Sequence, residues 1–524
     1  MRDNSGAPRS AWKRFSGGGL VLALIALFGL PTAAFAAPTT VTLVGDPGIV
    51  TVTGDGTVNQ VSLNDTGAFV FVEDASQGAT PGPGCEVDPL VTGGVRCAKP
   101  AGGVTRIDVS LFGGNDVLTS TGLDLSLNVL GGDGNDDLTG GTQDDTLNGE
   151  GGDDILDGRG LNDDLIGGAD IDTADYDGGA DRNVSLDGAA NDGAAGENDN
   201  VDTENVTAAR GNDILTGDAN ANKLDGDVGI DTLDGGGGVD TLNGDDGDDV
   251  LVGGAGGDVL SGGLGTGDTA DYSTAGGPVT VTIGAGADDG EVAEGDDVKA
   301  SVENVTGGPF DDSITGSSSD NRLTGGVDPT PLANDGDTGN DTLVGGPGND
   351  TLNGFDGDDD LSGGEDADTL NGGLGADVMD GGLGADDRVS YAGRTGGVKV
   401  NQNRPGDDGQ DGGAEGDDVF ANVERVTGTA FADILVGSNL DPTILSGGIG
   451  NDLLNGGNSS NDTVNGGAGN DTINDNGGID SVIGSTGWDT FHTSDRAKDA
   501  INCGTGRDTS SDRDRIDTRT ASCE

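Results

Sequence analysis

Asp341, Asp350, Asp359, Asp368, Asp377 and Asp386 stand nine residues apart, six times in succession. Two residues after each of the first five comes an apolar side chain: Leu343, Leu352, Leu361, Leu370 and Met379. A glycine pair opens most units, as at Gly345-Gly346 and Gly372-Gly373. The unit is Gly-Gly-x-Gly-x-Asp-x-Leu-x. Composition alone suggests a disordered Gly/Asp-rich tract. A strict period with an apolar residue locked at one phase argues for order. One apolar position per unit leaves room only for a short strand between glycine-rich loops.

The chemistry of the loop follows from its residues. Glycine adopts backbone angles closed to other residues, so six glycine-rich residues can turn tightly. Such a turn aims carbonyl oxygens at one point, and the aspartate adds a carboxylate. Calcium takes about six to eight oxygen ligands, which this donor set suits. An EF-hand, the other aspartate-rich calcium loop, needs flanking helices and a terminal glutamate. Neither is visible here.

The unit resembles the nonapeptide of the RTX (repeats-in-toxin) family. The resemblance implies an all-β fold, a right-handed parallel β-roll or β-helix solenoid. It also implies two units per coil and multiple Ca2+ ions shared between stacked loops. By that carry-over, the phase aspartates are the expected metal ligands. In the first array these are Asp136, Asp145, Asp154, Asp163 and Asp172. The second array offers Asp213, Asp231, Asp240, Asp249 and Asp258, with Asn222 replacing one aspartate. The third offers Asp312, passes Asn321, and then carries the six named above. The fourth offers Asp433, Asp452, Asp462, Asp471, Asp480 and Asp489. One extra residue after Gly262 makes Asp268 a doubtful ligand.

The totals agree. Of 524 residues, 105 are glycine and only 3% are aromatic, too few large apolar side chains for an ordinary core of that length. The net charge of −71 argues against nucleic acid and anionic membranes as partners. Divalent cations are the natural counterions. Calcium-coupled folding of the arrays is therefore expected, with ions replacing the larger core that the chain lacks.

In chain order, residues 1–36 read as a secretory signal peptide. Arg9, Lys13 and Arg14 precede the apolar run from Leu20 to Leu30, and Ala34-Phe35-Ala36 is a small-x-small cleavage site. The run is short for a membrane span of ~20 residues, and no later segment is apolar enough to cross. The expected location is extracellular, secreted or retained at the cell surface. Residues 37–112 alternate in strand fashion and form an expected N-terminal cap. In an exported protein Cys85 and Cys97 are expected to pair.

Repeat arrays are expected at 113–175, 208–271, 307–390 and 428–492. The third carries an insertion around Pro329 and Pro331, and the fourth has insertions near Pro442 and at Asn458 to Asn461. Spacers at 176–207, 272–306 and 391–427 share one plan. Each begins at a tyrosine (Tyr176, Tyr272, Tyr391), continues with a strand and an acidic glycine-rich loop, and ends at Val206-Thr207, Val305-Thr306 or Val426-Thr427. They read as ion-free coils that space the arrays, with a ligand-binding insertion as the alternative. Residues 493–524 gain arginine and lose glycine, a terminal cap that a Cys503–Cys523 disulfide would close. An RTX protein with an N-terminal signal departs from the one-step export route that reads a C-terminal signal.

Catalysis finds little support. His492 is the only histidine, which excludes a His-Glu-x-x-His zinc site. No Gly-x-Ser-x-Gly elbow is present. The Asn-x-Thr triplets, such as Asn349-Asp350-Thr351, are by-products of the repeat phase. The sequence thus points to a non-enzymatic, exported calcium-binding protein with a structural, surface-layer or adhesive role. Its partner would be calcium, with a cell-surface polysaccharide or protein left open. A β-helix hydrolase or lyase acting on polysaccharide is the alternative.

Overall fold

Nine residues with one inward apolar position form half a coil, and the structure stacks these halves in two columns. It is a computed structural model that describes residues 39–523, except 45–47, 67, 77, 92–93, 121, 327–338, 405, 407, 411–414, 459–460, 494–495, 511–516 and 521–522. The expected signal peptide and the insertion at Pro329 and Pro331 lie outside the described residues.

Within the solenoid, pairing is parallel and in register. Thr342–Pro347 pairs with Asp360–Glu365, which pairs with Val378–Leu383. The alternate units, Thr351–Asn353 and Thr369–Asn371, pair in the other column. Leu343, Leu361 and Met379 therefore stack in one file and Leu352 and Leu370 in the other, all fully buried. The described strands are short, and each mainly buries one large side chain. The core is a pair of leucine and valine files. This follows from the repeat: an apolar residue at one phase of nine falls in line when two units close a coil.

The N-terminal strands run straight into this stack. Gly48–Thr53 pairs in parallel with Val104–Ser110, and that strand pairs with Ser126–Asp133. Cys85 and Cys97 form a disulfide between adjacent antiparallel strands. At the other end the ladder passes residue 492, where the sequence suggested a change of structure. Ala500–Asn502 stacks on Ser481–Gly487, and Thr518–Arg519 stacks on Ala500–Asn502. A Cys503–Cys523 disulfide closes this last coil.

Each spacer lets one column pass and restarts the other. In the first, Asn205–Thr207 continues its file between Thr173–Asp175 and Lys223–Asp225. The other column ends at Asn200–Asp202 and restarts with the hairpin of Arg182–Ser185 and Gly193–Ala194. The same hairpin recurs at Val279–Thr282 with Gly290–Glu291, and at Val398–Asn401 with Gly409–Gln410.

Candidate metal centre

The nonapeptide loop gives each phase aspartate one fixed oxygen and one spare one. Oδ1 accepts the backbone N–H of the corresponding residue one coil earlier. Asp136 donates to Asp154 at 2.7 Å, Asp231 to Asp249 at 2.8 Å and Asp350 to Asp368 at 2.8 Å. The carboxylates thus run up the stack as ladders locked to the backbone.

Oδ2 is buried with no hydrogen-bond partner at most of the expected positions. These are Asp136, Asp154, Asp163 and Asp172; then Asp213, Asp231, Asp240, Asp249 and Asp258; then Asp350, Asp359, Asp368 and Asp377; then Asp452, Asp471 and Asp489. Asp341, Asp462 and Asp480 occupy equivalent buried positions, their Oδ1 accepting from Asp312, Thr443 and Asp462. A buried carboxylate oxygen without a donor is costly, and its recurrence at one phase calls for a common partner.

The surroundings of that oxygen are other oxygens. A Cβ built on Gly235 would sit 2.6 Å from both Asp240 Oδ2 and the carbonyl of Gly253 in the next coil. At Gly363 the same position meets Asp368 Oδ2 and the Gly381 carbonyl. The missing side chain leaves a cradle between a carboxylate and a neighbouring carbonyl. This all-oxygen donor set fits a hard divalent cation such as calcium.

Three expected ligands differ from the rest. In Asp145, Asp312 and Asp433 the second oxygen is already used. It accepts the N–H of Gly141, Gly308 and Thr429 respectively, the last two at 2.7 Å. The acceptor is then filled by the residue's own loop, four positions upstream.

One expectation is corrected outright. Asp386 is exposed, at φ 82°, and its carboxylate meets the Arg425 guanidinium at 2.8 Å. Asp387 takes the buried place: its Oδ1 accepts from Asp368 N–H, and its Oδ2 has no partner. The cause is one extra residue in Gly381-Gly382-Leu383-Gly384-Ala385-Asp386-Asp387, which lengthens the ladder step from 18 to 19. Gly262 to Asp268 carries the same insertion. Asp268 accordingly sits in the ladder, with a buried, unpartnered Oδ2.

Sequence reasoning also missed Asp116 and Asp508, which extend the ladder at its two ends with the same spare oxygen. The signal was present as Gly113-Gly114-Asn115-Asp116 and Gly504-Thr505-Gly506-Arg507-Asp508. Asp475, in place of a loop glycine, brings its carboxylate within 4.8 Å of those of Asp480 and Asp499, all three buried. His492 is exposed at the end of Thr490–His492.

The ladders end on protein donors in the spacers. The hydroxyls of Tyr176, Tyr272 and Tyr391 donate to Oδ2 of Asp199, Asp296 and Asp417, at 3.2, 3.0 and 2.9 Å. Asp192, Asp289 and Asp408 each accept backbone N–H bonds on both oxygens. These spacer carboxylates are satisfied by hydrogen bonds where most array carboxylates are not.

Electrostatics follow from this packing. Burial pushes the carboxyls of Asp136, Asp231, Asp359 and Asp452 up to about 7. Asp163 and Asp377 rise to about 8, chiefly by burial; Asp417 is the next cause at Asp377. Bare ladders therefore resist ionisation at neutral pH, and a divalent cation would remove that resistance.

The family model for the RTX calcium-binding nonapeptide repeat (4 copies) matches residues 130–165, 200–233, 234–267, 301–328, 335–370, 354–387, 443–473 and 465–495. No curated protein matches the chain. Loop sequence, coil geometry and family model agree: the chain carries multiple RTX calcium-binding nonapeptide repeats.

Proposed function

We propose that this calcium-binding repeat protein is exported and serves outside the cell as a structural or adhesive element assembled by its ions. The observation that carries the reading is the in-register file of buried, unpartnered Oδ2 atoms facing carbonyls of the next coil. Each ion bridges two coils, so binding is coupled to stacking. Extracellular calcium modules bind at ~0.1–1 mM, which would leave the arrays unfolded at low cytosolic calcium and folded outside. The ligands in this reading are the expected aspartates with spare oxygens, joined by Asp116, Asp268, Asp387 and Asp508. Asp145, Asp312 and Asp433 serve the backbone instead. The N-terminal charge and apolar run support export.

The test is calcium titration of the chelated chain, followed by circular dichroism and calorimetry. We expect a transition from disordered to β with many ions bound, and a weak response to magnesium, which demands a smaller octahedral shell. A chain already compact and protease-resistant in excess chelator would overturn the reading. For the role itself, we expect calcium-dependent retention on cells or polymer without turnover. Turnover of polysaccharide that is lost on changing single spacer carboxylates would establish the enzyme instead.

A further inference from the structure

The three spacers are near-copies, and one difference between them is chemically specific. In the first, the Arg182 guanidinium lies 5.5 Å from the centre of the Tyr176 ring and 3.6 Å from Glu197. In the third, the Arg394 guanidinium lies 5.7 Å from the Tyr391 ring and 3.1 Å from Glu415. Both arginine side chains are only 8% exposed. They reach the same place from different backbone positions. Arg182 opens the hairpin strand, whereas Arg394 lies in the turn after the tyrosine.

The middle spacer keeps the receptor and lacks the cation. Glu294 Oε2 accepts the Glu291 N–H at 2.8 Å, as Glu197 and Glu415 accept those of Ala194 and Gln410. The two arginine positions hold Ala275 and Val279. Ala275 N–H donates to the Tyr272 carbonyl at 2.9 Å, just as Arg394 N–H donates to that of Tyr391 at 3.0 Å. Below Ala275 lies a cavity of about 240 Å³ walled by Tyr272, Glu291 and Glu294. Glu291 adds a second carboxylate where the sister spacers carry Ala194 and Gln410.

We infer that the middle spacer is a receptor for a guanidinium group, filled in trans by an arginine side chain of a protein partner. The acidic pair alone would not establish a site. The independent observation is that the equivalent tyrosine and glutamate hold a buried guanidinium twice in this same chain. An aromatic face and a carboxylate are the two surfaces to which a planar, weakly hydrated guanidinium adds best. The cavity is smaller than the ~300–1,000 Å³ of sites for drug-sized molecules, and it matches a single side chain. Val292, next in sequence to Glu291 and 89% exposed, is an apolar side chain open to a partner. That favours an arginine within a polypeptide over a free small guanidine.

The experiment uses the full chain in saturating calcium. Binding is measured by calorimetry for Nα-acetyl-arginine methylamide, its lysine and citrulline counterparts, and a peptide with arginine between apolar residues. We expect one site, with the arginine compound bound at least ten-fold more tightly than citrulline and the peptide more tightly still. Ala275→Arg, which copies the placement of Arg394, should fill the pocket in cis and abolish binding while leaving the calcium-induced dichroism change intact. Glu294→Gln should weaken binding ten-fold or more. Arginine binding no better than citrulline, or undiminished in Ala275→Arg, overturns the inference. So does Ala275→Arg binding one calcium fewer with no arginine response, which would make the pocket a metal site. Free arginine bound as tightly as the peptide would overturn the assignment to a protein partner.

Discussion

Asp359→Asn separates an ion ligand from an ordinary structural residue, because its expected effect changes sign with calcium. The asparagine keeps the oxygen that accepts the Asp341 N–H at 2.8 Å. It removes the charge and replaces the unpartnered Oδ2 with an NH2 that can face the Gly372 carbonyl across the Gly354 cradle. In calcium at ten times the dissociation constant, each lost ion withdraws about 1.4 kcal/mol by mass action. The wild-type carboxyl is pushed up to about 7 by burial, with Asp341, Asp358 and Asp356 adding repulsion. At neutral pH and calcium just sufficient for folding, therefore, the substitution should be neutral or stabilising. Asp312→Asn is the contrast, since both its oxygens already accept backbone N–H groups, from Val279 and Gly308. It should cost about 1–3 kcal/mol at either calcium level, the range for leaving a buried donor unsatisfied. Thermal and denaturant unfolding in saturating calcium and at the lowest calcium that still keeps the chain folded measure all four values. Equal destabilisation by Asp359→Asn in both media would refute the ion-ligand reasoning.

Calcium binding should release protons near neutral pH. Ladder carboxyls held at about 6 to 8 in the ion-free fold must give up protons to accept the ion. The sign for the ion-free chain is the reverse of the usual aspartate case. Folded values above the ordinary carboxyl value mean stability is fully present below about pH 4 and is lost as pH rises through the folded values. Chelated protein should therefore gain β-structure on acidification from pH 8 to 5, checked by dichroism, while calcium affinity falls. Asp387→Asn should reduce the calcium response of the third array; Asp386→Asn, at an exposed ion pair, should change stability by less than ~1 kcal/mol. Tyr272→Phe removes the hydroxyl that serves Asp296 Oδ2 and should cost about 1–3 kcal/mol, seen as earlier melting in calcium. Replacing Cys503 and Cys523 by serine should lower stability of the last coil by about 2–4 kcal/mol, read by hydrogen exchange.

The period of nine carries most of the fold. An apolar residue at one phase and glycines at three others allow little except stacked short strands, so the two apolar files and the phase aspartates were legible in the residues. The plan of the spacers was legible too, since Tyr176, Tyr272 and Tyr391 open three similar segments. What those tyrosines do was not legible. Their hydroxyls close ladders that run through carboxylates 23 to 26 residues away, and no local pattern states that contact.

The sequence by itself determined the repeat, the oxygen-only chemistry of its loops and the hard cation they suit, because each depends on residue type and spacing within one unit. Tertiary structure alone decided which oxygens remain spare. Asp145, Asp312 and Asp433 share the phase of their neighbours, yet their own loops' amides fill them. Asp387 displaces Asp386 because the coil beneath dictates where an extra residue can be absorbed. The cavity beside Glu294 likewise stands where Ala275 and Val279 replace the arginines that the sister spacers bring against their glutamates. Donors reach a carboxylate through space, one coil away, and spacing along the chain does not record which of them arrive.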